Sequence, residues 1–277
     1  MNFQLFGAHG DVWTITKPQV MAIINATPDS FSDAEVELTE DYIGQIIDQG
    51  ADSFDVGGES TRPGGHDEVS TIEESKRIVP VIRMLKKLAP RIPISVDTKK
   101  ALVAQNALDA GADFINDISS LGDSDMADVV NKYGCSIILM RQKPLQKSRL
   151  LDSLHEEFQR ITNHAIKAGI DEHRLILDPG LGFGDVEQED YSLLPGADID
   201  TNMQLCMESS QQTKLPVLIG ASRKRFIGEL TNQPTKYRDT ASAIIAAQSI
   251  EKGASFVRVH DVAATRQAIS VLSYSNH

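Results

Sequence analysis

Residues 92–117 read Ile-Pro-Ile-Ser-Val-Asp-Thr-Lys-Lys-Ala-Leu-Val-Ala-Gln-Asn-Ala-Leu-Asp-Ala-Gly-Ala-Asp-Phe-Ile-Asn-Asp and contain the unit on which the fold depends. The short apolar run at 94–96 predicts a buried strand, and the stretch 99–110 predicts a helix that ends at Gly111. A second apolar run at 114–115 predicts the next strand. A strand, a helix and another strand in this order are typical of a parallel βαβ unit.

The same rhythm extends along the whole chain. Short apolar runs rich in β-branched residues predict eight strands buried on both faces, at residues 20–24, 53–56, 94–96, 114–115, 136–140, 175–177, 217–219 and 256–259. The stretches between them predict helices at 39–49, 71–88, 99–110, 126–132, 150–168 and 240–252, with a further possible helix at 198–213. Residues 1–16 predict a short hairpin that plugs the bottom of a barrel.

Two α/β folds accommodate eight strands in this order, a (β/α)8 TIM barrel and an open doubly wound sheet. The strand count is that of the barrel, and no Gly-x-Gly-x-x-Gly motif follows the first strand. The sequence therefore favours the barrel. We expect a single domain over residues 1–277, with the hairpin at 1–16 and the barrel at 17–277.

Composition restricts the class of protein. The 277 residues are 41% hydrophobic and 24% charged, which is ordinary for a globular domain. A net charge of −12 argues against nucleic acid or an anionic membrane as the partner. Cys135 and Cys206 match no metal-binding spacing and indicate buried thiols in a reducing compartment. No apolar run suits a signal peptide or a membrane span, so we expect a cytoplasmic protein.

Polar residues follow most of the predicted strands at the carboxyl end, namely Asn25, Asp55, Asp97, Asn116, Asp178, Ser222, Arg258 and His260. Any one of them could be a helix cap or a turn residue. In a barrel, however, all these strand ends meet on one face, where (β/α)8 enzymes build their active sites. The shared polar character of so many ends favours a functional site over independent caps.

The polar residues sort by charge into two sets. Arg62, Arg258 and His260, with the neutral donor Ser222, suit the oxygens of a phosphorylated ligand. The second set comprises Asp55, Asp97, Asn116 and Asp178. Its members could pair with Arg and Lys, ligate a metal, or accept from the N–H groups of a heterocycle.

Two further features bear on the ligand. A Mg²⁺ ion bridging Asn25 and substrate phosphates is plausible, because Mg²⁺ often takes few protein ligands beside phosphates. The glycine-rich loops 57–65 and 180–184 could act as lids over a site. For loop 180–184, a tight turn between strand and helix is the alternative.

Seven motifs in these positions resemble the dihydropteroate synthase family and stand in the family's order. The motifs are Asn25-Ala-Thr-Pro-Asp-Ser-Phe-Ser-Asp, Asp55-Val-Gly-Gly-Glu-Ser-Thr-Arg-Pro-Gly, Pro93-Ile-Ser-Val-Asp-Thr, Asn116-Asp-Ile, Asp178-Pro-Gly-Leu-Gly-Phe-Gly, Ser222-Arg-Lys and Arg258-Val-His-Asp-Val. The resemblance covers about residues 20–265, nearly the whole chain. It implies a (β/α)8 barrel, a homodimer and a role in folate biosynthesis.

The resemblance also implies a reaction and a site. 7,8-Dihydropterin-6-ylmethyl diphosphate would be joined to p-aminobenzoate, giving dihydropteroate and pyrophosphate by a dissociative substitution. By this resemblance, the pterin would be held between Met140 and Phe183 by Asp97, Asn116, Asp178 and Lys224. The diphosphate would be held by Thr61, Arg62, Arg258, His260 and a Mg²⁺ ion at Asn25. The p-aminobenzoate would be held by Ser222 and the two mobile loops. Asp29 and Phe31 would close over the site.

The sequence departs from the family pattern in four places. Arg141-Gln142-Lys143-Pro144 replaces the usual His and Gly-containing turn, Asp185 replaces Lys, Ala34-Glu35 replaces Gly-Gly, and the link 193–216 is long. These departures leave open a divergent relative that binds a pterin and uses another amine, or none. A methyltetrahydrofolate methyltransferase and a non-catalytic pterin-binding protein are further alternatives. The predicted diphosphate site argues against both.

Overall fold

Parallel strands surround a central axis in the computed structural model, which describes residues 2–26, 38–59, 69–183 and 199–275. A separate antiparallel hairpin consists of β1 (Phe3–Phe6) and β2 (Val12–Ile15). The parallel sheet consists of β3 (Gln19–Asn25), β4 (Ser53–Gly57), β5 (Ile94–Asp97), β6 (Phe114–Asp117), β7 (Ile137–Met140), β8 (Leu175–Asp178), β9 (Leu218–Ile219) and β10 (Phe256–Val259). Its neighbours run in the order β8-β7-β6-β5-β4-β3-β10-β9.

The two ends of this sheet meet each other. The N–H of Leu177 in β8 donates to the carbonyl of Pro216 at 2.9 Å, and Leu177 forms a parallel bridge with Val217, just before β9. Closure removes the free edges that an open sheet would present. The predicted barrel is therefore confirmed, and the open doubly wound sheet is excluded.

Side chains alternate between the inside and the outside of the barrel. In β3, Val20, Ala22 and Ile24 belong to the apolar layer between strands and helices, whereas Met21 lies inside the barrel with Phe114 and other apolar residues. This period of two is the geometric property of a strand. It gives the barrel one apolar layer outside and a separate core inside.

Helices cover the outer layer. They are α1 (Glu40–Asp48), α2 (Thr71–Leu88), α3 (Ala101–Ala110), α4 (Met126–Tyr133), α5 (Leu150–Lys167), α6 (Ile199–Glu208), α7 (Arg225–Thr231), α8 (Asp239–Glu251) and α9 (Val262–Ser275). The start of α2 shows how the sequence sets a boundary, because the Ser70 hydroxyl accepts from the N–H of Glu73 at 3.3 Å. At the end of α3, Gly111 adopts the left-handed conformation with φ 116°. No described helix is long and apolar enough to span a membrane.

The hairpin closes the lower end of the barrel. Leu5 and Ile15 are buried against the barrel's inner core, and the ring of Phe3 lies 5.8 Å from the ring of Phe256. This confirms the prediction of an N-terminal plug. Because apolar side chains occupy this end, polar chemistry is confined to the opposite end, where the strands reach their carboxyl termini.

Candidate active site

Five inward-facing side chains meet at the upper end of the barrel: Asp55 on β4, Asp97 on β5, Asn116 on β6, Asp178 on β8 and Arg258 on β10. Strand register explains their common height, since Asp97 lies opposite Asn116 in the pairing of β5 with β6. Met140 lies opposite Asp178 in the same way. The structure thus brings together residues that are up to about 200 positions apart in sequence, as the barrel predicts.

Arg258 organises the acidic side chains. Its Nε donates to Asp55 Oδ2 at 2.5 Å, and its Nη2 donates to Asp97 Oδ2 at 2.8 Å. Asp55 also accepts from Asn116 Nδ2 at 3.0 Å and from Ser95 Oγ at 2.6 Å. Burial opposes the charge on Arg258, but the carboxylates of Asp55 and Asp97 outweigh burial and raise its pKa. Pairing with arginine is therefore what the structure shows for Asp55.

Two acceptor oxygens on neighbouring strands stand apart from this network. Asp97 Oδ1 and Asn116 Oδ1 are buried and have no hydrogen-bond partner among the residues that the structure describes. An unsatisfied buried acceptor is costly, and a pair of them at one site indicates a ligand that carries N–H donors. Ser53 Oγ is also buried without a hydrogen-bond partner among the described residues, but it lies lower in the barrel, in register with Met21.

The electrostatics of Asp97 differ from those of an exposed carboxyl. Burial raises the pKa of Asp97 to about 7; the positive charge of Arg258 opposes this rise, and the negative charges of Asp55 and Glu74 add to it. Asp97 therefore titrates near neutral pH. A carboxyl whose pKa lies close to the working pH, in a polar cavity, is a feature of functional sites.

Asp178 and Lys224 lie close to this network, near enough for their charges to interact. Burial raises the pKa of Asp178. The N–H of Gly180, which donates to Asp178 Oδ1 at 2.7 Å, and the positive charge of Lys224 both oppose this rise. Lys224 Nζ lies 4.1 Å from the centre of the Phe183 ring, within the range of a cation–π contact. A carboxyl, an ammonium group and an aromatic ring thus lie near one another at this end of the barrel.

Ser222 and His260 are linked directly. Ser222 Oγ lies 2.9 Å from His260 Nδ1 and accepts from the backbone N–H of His260 at 3.2 Å. Both residues follow adjacent strands, β9 and β10. The structure thus joins two members of the predicted donor set.

The segment that carries Ser222 and Lys224 is held from outside the barrel. Arg223, between them, has a φ of 58°, which is unusual for a residue with a side chain. Its guanidinium makes two hydrogen bonds to Asp239, at 2.6 and 2.8 Å, and its N–H donates to Ser242 Oγ at 3.0 Å. Contacts with α8 therefore fix the strained backbone that orients the two site residues.

Several predicted residues lie at or beyond the edge of what can be described. Asn25 is half-buried at the carboxyl end of β3, in register with Gly57. The predicted loop and anion residues Asp29, Phe31, Thr61 and Arg62, and the departures Ala34, Glu35 and Asp185, lie outside the described residues. Their positions stay predictions.

The sequence analysis missed two supports of the site. Ser95 was not singled out, although strand alternation places it on the same face as Asp97, two residues later. Lys100 was also missed; its Nζ donates to Glu59 Oε2 at 2.5 Å and to the buried Glu74 Oε2 at 2.6 Å. Nothing local in the sequence signals this cluster, because its three members come from three separate segments.

Comparison with known proteins gives a consistent result. The profile of the family described as "Pterin binding enzyme" matches residues 21–260. The dihydropteroate synthase of Bacillus subtilis is 39% identical over 253 residues, which is 89% of this chain and 84% of that protein. The enzyme of Clostridium beijerinckii is 38% identical over 250 residues, which is 88% of each chain.

Solved structures extend the similarity to three dimensions. Dihydropteroate synthase of Xanthomonas albilineans with 4-aminobenzoic acid superposes with a TM-score of 0.85 at 35% identity, over 100% of this chain and 99% of that one. The same enzyme in complex with 7,8-dihydropteroate gives a TM-score of 0.81 at 34% identity, over 99% of this chain and 98% of that one.

Proposed function

The chain belongs to the pterin-binding enzyme family, and from this premise we infer that it is a dihydropteroate synthase. We propose that it condenses 7,8-dihydropterin-6-ylmethyl diphosphate with p-aminobenzoate and releases pyrophosphate. It is thus a transferase of folate synthesis. Two solved structures of one relative hold 4-aminobenzoic acid and 7,8-dihydropteroate, which are a substrate and the product of this reaction.

The observation that carries this proposal is the pair of buried acceptors Asp97 Oδ1 and Asn116 Oδ1, with the Asp178 carboxyl at the same end of the barrel. The amino and ring N–H groups of a pterin are donors that such a set of oxygens would satisfy. Met140, in register with Asp178, and Phe183 would flank the pterin ring, and Lys224 would complete its contacts.

The cationic side of the site would bind the diphosphate. Arg258 uses two of its five N–H groups on Asp55 and Asp97, and the others would serve phosphate oxygens. His260, linked to Ser222, lies after the same strand, and Thr61 and Arg62 would contribute from the loop after β4. Ser222 would also border the p-aminobenzoate site.

The reaction would proceed by breaking the bond between the pterin methylene carbon and the diphosphate oxygen, whose electron pair leaves with the diphosphate. Donors around the leaving group stabilise the charge that develops there. Asp97 would offset the positive charge left on the pterin. The neutral amine of p-aminobenzoate then forms the new C–N bond and loses a proton. Asp29 and Phe31 would close over the site during this step.

A Mg²⁺ ion fits this arrangement as a companion of the diphosphate. The amide oxygen of Asn25, half-buried at the end of β3, is a hard neutral ligand of the kind that Mg²⁺ accepts, and the diphosphate would supply further oxygens. The ion would neutralise charge on the leaving group. Among the described residues, no group of three or more His, Cys, Asp and Glu side chains is arranged to hold a metal.

We further propose a homodimer. α8 and α9 pack against each other, and they expose Ile244 (48%), Val271 (67%) and Tyr274 (83%). Exposed apolar side chains mark a protein interface when they form one patch, and we propose that these three do so. A second copy of the chain would cover this face by two-fold symmetry.

The net charge of −12 supports small-molecule substrates without a nucleic-acid partner, and we place the enzyme in the cytoplasm.

The function is tested by incubating the purified protein with the pterin diphosphate, Mg²⁺ and p-aminobenzoate, and measuring dihydropteroate and pyrophosphate. We expect equal amounts of both products, and a loss of at least about 100-fold in kcat/KM for Lys224→Ala and for Arg258→Ala. Lys252→Ala, at an exposed lysine after α8, is the matched control and should keep full activity. Tight pterin binding without product would instead indicate a divergent relative with another acceptor.

A further inference from the structure

Arg141 directly follows β7, where the resemblance leads one to expect histidine, and it is the largest side chain in the described protein that is fully buried. Its exposed fraction is 0%. Its backbone N–H donates to the carbonyl of Asp178 at 2.9 Å, which continues the pairing of β7 with β8. A fully buried guanidinium is rare because its desolvation is costly, so its contacts call for an explanation.

The guanidinium binds the turn that follows β8, residues 179–183. Arg141 Nε donates to the carbonyl of Pro179 at 2.6 Å, and Nη2 donates to the carbonyl of Gly180 at 2.9 Å. A third donor, Nη1, meets the carbonyl of Lys143 at 2.8 Å. Because the guanidinium is planar and rigid, two bonds to successive carbonyls fix the orientation of both peptide groups.

That turn presents two groups of the proposed pterin site. Gly180 adopts a φ of 67°; its N–H holds Asp178 Oδ1 at 2.7 Å, and its carbonyl accepts from the N–H of Phe183 at 3.1 Å. The ring of Phe183 in turn lies against Lys224 Nζ. The peptide groups around Gly180 therefore connect Arg141 on one side with the Asp178 carboxyl and the Phe183 ring on the other.

The segment that follows Arg141 is anchored to α5. The backbone N–H groups of Gln142 and Lys143 both donate to Glu157 Oε1 of α5, at 3.4 and 3.2 Å. Glu157 is buried, and its oxygens also accept from Arg160 at 2.7 Å. The segment after β7 is thus anchored to a helix of the outer layer, so that the guanidinium is held from behind as well as in front.

We propose that Arg141 is a positioning residue for the pterin site, which sets the turn 179–183 so that the Asp178 carboxyl and the Phe183 ring face the pterin. This inference rests on the proposed function, since the turn matters to catalysis only if a pterin binds there. The effect is local to the pterin. Ser222, which borders the proposed p-aminobenzoate site, follows β9 next to β8, but its hydroxyl contacts His260 and its segment is held by α8, so this site should depend little on Arg141.

The experiment compares Arg141→Lys and Arg141→Met with the parent enzyme. Binding of 6-hydroxymethyl-7,8-dihydropterin is measured by calorimetry in the presence of pyrophosphate, and KM is measured separately for the pterin diphosphate and for p-aminobenzoate. Loss of the guanidinium should raise the pterin Kd and the pterin-diphosphate KM by about 10- to 100-fold, the range expected when groups are misplaced by an ångström. The KM for p-aminobenzoate should stay within about twofold.

Arg141→Lys should recover part of the loss, because an ammonium group can reach one carbonyl but cannot orient two. If Arg141→Met does not fold, Arg141→Lys alone decides. The matched control is Arg266→Met. Arg266 also donates through Nε and Nη2 to a backbone carbonyl, that of Gly50, at 2.9 and 2.6 Å, but in the loop that leads into the lower end of β4. The Arg266→Met variant should have a lower melting temperature, and its pterin Kd and pterin-diphosphate KM should be unchanged.

The outcomes separate this inference from the proposed function. Unchanged pterin constants in a folded Arg141 variant, or an equal rise in both KM values, would overturn the positioning role while the synthase activity stands. If the parent binds the pterin and makes no product, the synthase activity fails, and the Kd values still decide the role of Arg141. A parent that binds no pterin overturns both.

Discussion

Asp55 and Asp97 share one guanidinium but have different surroundings. Asp55 receives three donors, from Arg258, Asn116 and Ser95, so that both of its oxygens are satisfied within the barrel. Oδ2 of Asp97 accepts a hydrogen bond from Arg258, and Oδ1 of Asp97 has no hydrogen-bond partner among the described residues. We therefore assign Asp55 to the framework of the site and Asp97 to the ligand.

The titration of Asp97 should appear in the kinetics. Burial raises its pKa to about 7, and only the ionised form can accept N–H donors on both oxygens. We expect kcat/KM for the pterin diphosphate to rise about tenfold per pH unit below pH 7 and to level off above it. Asp97→Asn should lower kcat/KM by about 100- to 1000-fold and remove this limb. A pH profile that Asp97→Asn leaves unchanged would contradict the assignment.

The same shift has a consequence for stability. Because the folded state of Asp97 keeps its proton up to about pH 7 and the unfolded state loses it near the ordinary pKa of 3.8, the folded state binds more protons between these values. The free energy of unfolding contributed by Asp97 should therefore fall as pH rises through this window. Urea titrations at pH 5 and pH 8, with Asp97→Asn as reference, measure the difference.

Removal of Asp55 should cost folding free energy. Asp55→Ala leaves the guanidinium of Arg258 with one carboxylate in place of two in a buried site. We expect a loss of about 3–5 kcal/mol, the usual range for breaking a buried pair. Glu40→Gln removes an exposed ion pair with Lys87 at 2.7 Å and should cost less than about 1 kcal/mol. Equal costs for the two variants in urea unfolding would exclude the framework role of Asp55.

At the scale of elements, local patterns located the strands and most helices. Each of the predicted helices was found within two residues of its expected bounds, and α6 lies inside the predicted stretch 198–213. Two helices, α7 and α9, were not predicted. In α9 the inward positions include Val262 and Thr265, and a buried threonine weakens the apolar period by which a helix is recognised. Tertiary packing stabilises this helix where its pattern does not indicate it.

The hairpin offers a test of an element. Leu5→Ala removes a fully buried side chain between the hairpin and the barrel core and should cost about 2–5 kcal/mol in urea unfolding. Val12→Ala, in the same hairpin, removes a side chain that is half exposed and should cost less than about 1 kcal/mol. Because the plug lies at the end opposite the site, kcat/KM of the folded Leu5→Ala protein should match that of the parent. A large loss of activity at full folding would refute this separation.

At the scale of the whole molecule, closure of the barrel separates two chemical environments. The lower half of the interior is apolar and sealed by the hairpin, and the upper half carries the charged network. This division places Asp55, Asp97, Asp178 and Arg258 in the upper half, above the apolar core. The outer surface of α8 and α9 is where we propose contact with a second copy.

The proposed dimer can be tested on that surface. The double variant Ile244→Glu and Val271→Glu places two charges on the exposed face of α8 and α9 and should yield a monomer by sedimentation. Leu102→Glu, at a similarly exposed apolar residue on α3, serves as the control and should leave the dimer intact. A parent protein that sediments as a monomer, or a double variant that stays dimeric, would rule out this interface.

The sequence by itself determined the number of strands, the hairpin and the residues at the strand ends, because these depend on the period of apolar residues and on local turn chemistry. It also determined the family, through motifs that are contiguous in the chain. Only the tertiary structure decided which two carboxylates Arg258 contacts and which oxygens are left for a ligand. It alone gave the buried place of Arg141 against the turn that follows Asp178. These facts depend on contacts between strands far apart in sequence, and such contacts exist only once the barrel has closed.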